Sequence, residues 1–299
     1  MEITNETYIT EFVLKAFPGS SAKLTFMFVI LLLIYFVTLA GNLLIIIIIC
    51  TDYHLHLQMY FFLVCLSFME ICGISTVIPN LLVTLIVHKS ILSRNACFTQ
   101  SYFYFFISSS DFLLLSVMSF DRYVAICYPL RYSSIIRKST CIKLVAGCLF
   151  TSFSCLLYPT LIIPTLPYCG HILDHFFCES AALMKLICAD TRLLKLSAVI
   201  SSVFILIGPL LVTIISYILI VSTVIRMPSD TGRQKTFSTC LSHLTMVSIV
   251  FGSAIFIEIR PPKKYSIETD KVVNLVSTVL GPLLNPFVYT LKNQKVKAQ

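Results

Sequence analysis

Seven stretches of this chain stay mostly apolar over about 20 residues or more, and they constrain the fold more than any motif does. They cover residues 24–50, 59–86, 98–120, 141–163, 197–225, 239–259 and 272–291. A helix needs roughly 20 mostly apolar residues to cross the hydrocarbon of a bilayer. Across the 299 residues, 57% are hydrophobic and only 12% charged. A soluble domain carries about 25% charged residues, so too little polar material is present here to cover a globule, and lipid must do it instead. No repeat period and no second domain are visible. The expectation is an all-α membrane protein, a single seven-transmembrane domain over residues 1–299 with the N-terminus outside and the C-terminus in the cytoplasm.

The first residues, MEITNETYITEFVLKAFPGSSAK, are polar, and the first apolar run is too long for the core of a secretory signal. It reads as a retained first span. The net charge of +8 is not gathered into the basic stripe that nucleic-acid binding needs. Nor does it choose an orientation, because an N-terminus-outside arrangement divides the 22 Lys and Arg evenly between the two sides. Two other signals favour that arrangement. Asn5-Glu6-Thr7 is a glycosylation sequon, which has meaning only outside or in a lumen. Of 12 cysteines, Cys97, Cys169, Cys178 and Cys188 fall in the outer segments, an even number that suits two disulfides in an oxidising compartment. Spacing leaves all three pairings of four cysteines open.

The third span carries its polar groups on one face. Tyr104, Ser108, Asp111, Leu115, Met118 and Arg122 follow one another at steps of three or four, which places them on one side of a helix. Ionisable groups inside a bilayer are costly and tend to be functional. Asp111 is therefore a candidate, and Glu70 in LSFMEIC is a second buried carboxyl. If the two are neighbours, like charges at close range are relieved by a shared proton or a bound cation such as Na⁺. Asp121 and Arg122 come straight after the run FLLLSVMSF, at the inner water boundary. There Arg122 has three options: solvent, Asp121, or a partner on another helix. Such a group makes a bistable element.

The stretch MSFDRYVAICYPLRY, 118–132, resembles the third-helix signature of vertebrate olfactory (odorant) receptors, within the rhodopsin-like class A of G-protein-coupled receptors. GNLLII at 41–46, LHLQMYFFLVCLSFMEIC at 55–72, HFFCES at 175–180, KTFSTCLSHLTMVSI at 235–249 and PLLNPFVYTLKNQKVK at 282–297 agree with it in order along the chain. The resemblance implies a small volatile ligand held in the outer half of the bundle by Tyr104, Phe105, Ser108, Ser109, Ser202, Ile205, Phe251, Ala254, Ile255 and Glu258. It implies switch and coupling roles for Asp121, Arg122, Tyr123, Tyr217, Lys235 and Tyr289, and a central polar network of Asn42, Glu70, Asp111 and Asn285. It pairs Cys97 with Cys178 and Cys169 with Cys188, and makes Asn5 the glycosylated residue. The implied partners are an odorant, the bilayer, and a heterotrimeric G protein with a stimulatory, olfactory-type α subunit that raises cyclic AMP. The implied location is the plasma membrane of olfactory cilia, with no required cofactor and Na⁺ near Glu70 and Asp111 as the one ion to consider.

The chain departs from the family pattern at Gln58, where Pro is usual, in KTFSTC and MSFDRY, at Phe251, where Tyr is usual, and in having no Trp. None of these removes a switch residue. Other classes find less support. Paired broken helices in inverted halves, as in transporters, and charge rings, as in channels, are not seen. No HExxH, GxSxG or Walker-type run marks an enzyme. The remaining alternative is a receptor of the same fold for a non-odorant small metabolite outside the nose.

Overall fold

The computed structural model describes residues 9–15, 17–52, 58–227, 229–259 and 267–292. Asn5 lies outside the described residues, as do the side chains of Lys235, Glu258 and Tyr289. Seven long helices form the body: α1 Ser21–Thr51, α2 Gln58–Val87, α3 Arg94–Cys127, α4 Lys138–Ile162, α5 Arg192–Ile225, α6 Asp230–Ile259 and α7 Ile267–Lys292. Among the described residues α1 to α5 are long and apolar enough to cross a membrane, and α6 carries a shorter apolar stretch, His243–Ile257. Such runs become helices because hydrocarbon offers no partner for a bare N–H or C=O.

Each helix turns one stripe inward. On α1 the buried residues are Leu24, Leu31, Thr38, Asn42, Ile45 and Ile49, at steps of three, four and seven. Phe26, Leu33, Leu43 and Ile47 face out, where lipid replaces water as the solvent. Helix α3 is central and packs against α2, α4, α5 and α6. Its serines allow close approach: Ser110 and Ser119 return their hydroxyls to the carbonyls of Phe106 (2.8 Å) and Leu115 (2.9 Å), so no buried hydroxyl is stranded there. At Gly41, α1 comes close against α7. A Cβ built on Gly41 would lie 2.9 Å from two ring carbons of Pro286.

One end of the bundle is covered. Strand β1, Glu11–Leu14, is the middle of a three-stranded sheet, antiparallel to β2, Ser90–Ser93, and parallel to β3, Ile172–Leu173. Phe12 and Leu14 point into the protein and are fully buried. Two cations hold the ends of this strand. Arg94 donates to the carbonyls of Ile9 (3.4 Å) and Pro164 (2.5 Å), with its guanidinium against the rings of Phe98 and Tyr168. Lys271 on α7 donates to the carbonyl of Lys15 (3.0 Å) and to Asp174 (2.5 Å). Disulfides join Cys97 to Cys178 and Cys169 to Cys188 in the same region. Of the three pairings that spacing allows, this is the one that forms.

Beside β3, the His175 ring stacks on Phe176 at 4.6 Å and accepts a long hydrogen bond from the N–H of Phe177. Burial first, then the nearby Lys271, lowers its pKa to about 3, against a smaller opposing pull from Asp174. His175 is thus neutral in the folded protein at pH values where the unfolded chain takes up a proton.

Two outcomes are expected. Gly41→Ala pushes α1 off a rigid proline ring, and overpacking of this kind costs ~1–3 kcal/mol; thermal unfolding of the detergent-solubilised protein measures it. For His175 the sign follows from linkage. Its folded pKa is depressed, so its effect is absent above the unfolded value of 6.5 and stability declines as pH falls from there toward 3. The slope is at most ~1.4 kcal/mol per pH unit for one proton. Unfolding midpoints at pH 7.5 and 5.0 should separate by less in His175→Phe than in the unmodified protein.

Candidate functional site

Beneath the cover lies a cavity of about 510 Å³ between α2, α3, α4, α5, α6 and α7. Its α5 wall depends on a local irregularity. Residues Val203–Ile207 form a π-turn just ahead of Pro209. Proline has no N–H to continue the α-helical ladder, so the turn before it widens, as π-bulges do at functional sites. Ser202, Ile205 and Leu206 line the cavity from this turn. Ser201 ties it to α4 through a 3.1 Å bond to the carbonyl of Cys155.

Of the residues expected in the wall, Tyr104, Phe105, Ser108, Ser109, Ser202, Ile205 and Ala254 line the cavity. Phe251 and Ile255 do not. Phe251 is 2% exposed and packs 5.2 Å from the ring of Phe112, and Ile255 lies against the same core cluster. Besides Met246 and Ile249, the α6 wall has Val250, Ser253, Ala254 and Ile257. These four are spaced i, i+3, i+4, i+7, one helical face, and Phe251 and Ile255 occupy the neighbouring stripe. Sequence reasoning also missed Asn274, Ser277 and Thr278 on α7, and Glu179 in the cover.

The floor is polar. Asn285 donates to the Glu70 carboxylate at 2.7 Å, joining α7 to α2. Asn42 donates to the carbonyls of Thr38 (3.1 Å) and Pro282 (3.0 Å). The second bond has a local cause: Pro286, four residues after Pro282, has no N–H, so the Pro282 carbonyl is free for a side chain on α1. Glu70 and Asp111 both line the cavity floor. Asp111 Oδ1, Asn42 Oδ1 and Asn285 Oδ1 are buried with no hydrogen-bond partner among the described residues. Orphaned oxygens beside two carboxylates are the donor set that a hard cation accepts. The described residues hold no group of three or more His, Cys, Asp or Glu arranged for a metal.

At the end of the bundle away from the sheet, Asp121 is 2% exposed and accepts from the Tyr132 hydroxyl at 2.8 Å. That bond fastens the short helix Tyr132–Ile135 to α3. Arg122, half-buried beside it, has no hydrogen bond or ion pair among the described residues. Tyr217 on α5 meets His243 on α6, hydroxyl to Nδ1 at 2.8 Å, with the rings 6.0 Å apart and nearly parallel. No role for His243 was read from the sequence. Tyr123 sits edge-on to Tyr128 at 5.7 Å. Two residues on, Leu130 is 98% exposed.

A family model described as olfactory receptor matches residues 31–299. Human olfactory receptor 6X1 is 43% identical over 98% of this chain and 94% of its own length, and human olfactory receptor 6T1 is 44% identical over 99% and 92%. Olfactory receptor 6E1 of Mus musculus is 42% identical over 99% and 95%. Among solved structures, the crystal structure of squid rhodopsin superposes with a TM-score of 0.73 at 14% identity, covering 94% of this chain and 85% of that one. The fold is therefore the rhodopsin-like seven-helix bundle, and with a family model spanning most of its length the chain belongs to the olfactory receptor family.

Proposed function

We propose that this protein is an odorant receptor: it takes a small, mostly apolar ligand into the 510 Å³ cavity and activates a heterotrimeric G protein of the stimulatory, olfactory type. The observation that carries this reading is the double engagement of α6. Val250, Ser253, Ala254 and Ile257 line the cavity, and about two turns from Val250 along the same helix His243 holds Tyr217 of α5. A ligand that fits one tilt of α6 better than another changes what that hydrogen bond must hold. No covalent step is required. The shift in population is bounded by the ligand's difference in affinity between the two arrangements.

The sheet end is read as the outer face, because both disulfides lie there. The end that bears Arg122, Leu130 and Arg131 is then cytoplasmic. When α5 and α6 part, Arg122 and Tyr217 become available to the G protein, with Leu130 as an apolar contact beside them. The chain is a single multi-pass domain of the plasma membrane, placed in olfactory cilia with its partners. A sodium ion between Glu70, Asp111 and Asn285 would neutralise the floor carboxylates and hold α2, α3 and α7 in one arrangement.

A cyclic-AMP reporter in cells, challenged with a broad odorant panel, tests the proposal; a surface-delivered receptor silent to every member contradicts it. Arg122→Ala is expected to abolish the response with surface delivery intact. His243→Phe removes one buried hydrogen bond, worth about 1 kcal/mol, and is expected to raise ligand-free signalling by roughly fivefold.

A further inference from the structure

The charges around the cavity are of one sign. Among the described residues that line it there is no Lys, Arg or His, and there are three carboxylates: Glu70, Asp111 and Glu179. The first two form the floor already described. Glu179 hangs in the cover and is placed with care. It follows Cys178, whose bridge to Cys97 fixes the backbone to the start of α3, and Phe176 and Phe177 before it are fully buried.

Its carboxylate is aimed by the short helix that it caps. Oε1 accepts from the N–H of Ala181 at 2.9 Å and Oε2 from the N–H of Ala182 at 2.6 Å. Each oxygen keeps a second acceptor position, since a carboxylate has about four in all. The side chain is only partly covered, and the cavity lies on its open side. Burial raises its pKa; the two backbone N–H groups and the nearby Lys185 oppose that rise, and Asp270 adds to it. A cation on its open side would oppose the rise further.

Other acceptors share the cavity. Tyr104 is bonded to Thr278 at 3.0 Å, Asn274 lies one turn before Thr278, and the Ser277 hydroxyl has no hydrogen-bond partner among the described residues. The remaining wall is aliphatic and aromatic, with Phe105, Phe112 and Ile205.

From this we infer that the ligand class is a small apolar amine, whose ammonium group sits under Glu179 and whose hydrocarbon part fills the space between α3, α5 and α6. A carboxylate odorant placed there meets the like charge of Glu179, with no Lys, Arg or His among the described lining residues to answer it, so the same arrangement excludes acids. The inference rests on the reading of this cavity as the ligand site.

Matched sets of amine, alcohol and carboxylic acid on the same skeletons (hexyl, branched pentyl and cyclohexyl) test it at pH 7, where the amines are cationic and the acids anionic. The full-length receptor in nanodiscs reports binding by its thermal midpoint, and cells report cyclic AMP. The expected result is that at least one amine acts at a tenfold or more lower concentration than its alcohol, and that its acid is inert. Glu179→Gln should bring amine and alcohol to parity, with surface delivery and the ligand-free thermal midpoint showing that the variant is folded. The comparison within the unmodified receptor holds even if that variant fails to fold. Alcohols acting as well as amines, an acid acting best, or an amine preference that survives Glu179→Gln overturns the inference while the receptor reading stands. Silence of a surface-delivered receptor to every member and to a broad neutral panel overturns both.

Discussion

In a bundle whose outer solvent is hydrocarbon, a polar group inside is stable only where another helix answers it, and the arrangement of this protein follows from that constraint. The Pro282 carbonyl, left without a donor by Pro286, is answered by Asn42 of α1. Glu70 of α2 is answered by Asn285 of α7. Gly41 stands next to Asn42 and lets the proline ring of α7 come close enough for the first of these bonds. Three helices are thereby fixed to one another by contacts that lipid cannot replace. The mobile part of the structure must lie elsewhere, on the side of α5 and α6.

That side is built differently. Between the far halves of α5 and α6 lies a cleft of about 630 Å³, lined by Ile220, Val224, Cys240 and Leu244 among others. The Tyr217–His243 bond bridges the two helices at the head of it. An interface that borders such a cleft separates at lower cost than the close-packed α1–α2–α7 side. The cavity under the cover and this cleft lie along the same pair of helices. A rigid half and a yielding half within one bundle are what a two-state response requires.

Much of this was legible in the sequence. The seven apolar runs, and the polar face of the third, state a periodicity that a helix in lipid must obey. Glu70 and Asp111 are visible because each is an ionisable group in an apolar run, and such groups need a reason; Asn42 and Asn285 came with the family resemblance. What was not legible depended on rotation or on distant partners. Phe251 and Ile255 were assigned to the cavity wall, yet the wall stripe of α6 runs through Val250, Ser253, Ala254 and Ile257. An aromatic and an aliphatic residue serve a core as well as a pocket, so composition cannot orient that helix. Asp121 offered Arg122 as a neighbour in sequence, but the chain turns at Tyr128 and brings Tyr132 to it instead. Glu179 falls outside the seven apolar runs, and only the disulfide beside it and its capping of the next helix place it over the cavity.

The middle position of β1 has a consequence for how the molecule comes together. This strand precedes all seven long helices, yet one of its partners, β3, lies about 160 residues later in the chain. Until the segment after α4 has been translated, the edge of β1 that β3 will cover has no mate, and contacts of such sequence separation form slowly. Closure of the cover is therefore a late event of biogenesis, and a newly inserted chain passes through a stage in which its hydrophobic Phe12 and Leu14 have no complete shelter. A lid whose central plank is laid down before the bundle and fastened after much of it leaves two buried side chains to be sheltered late.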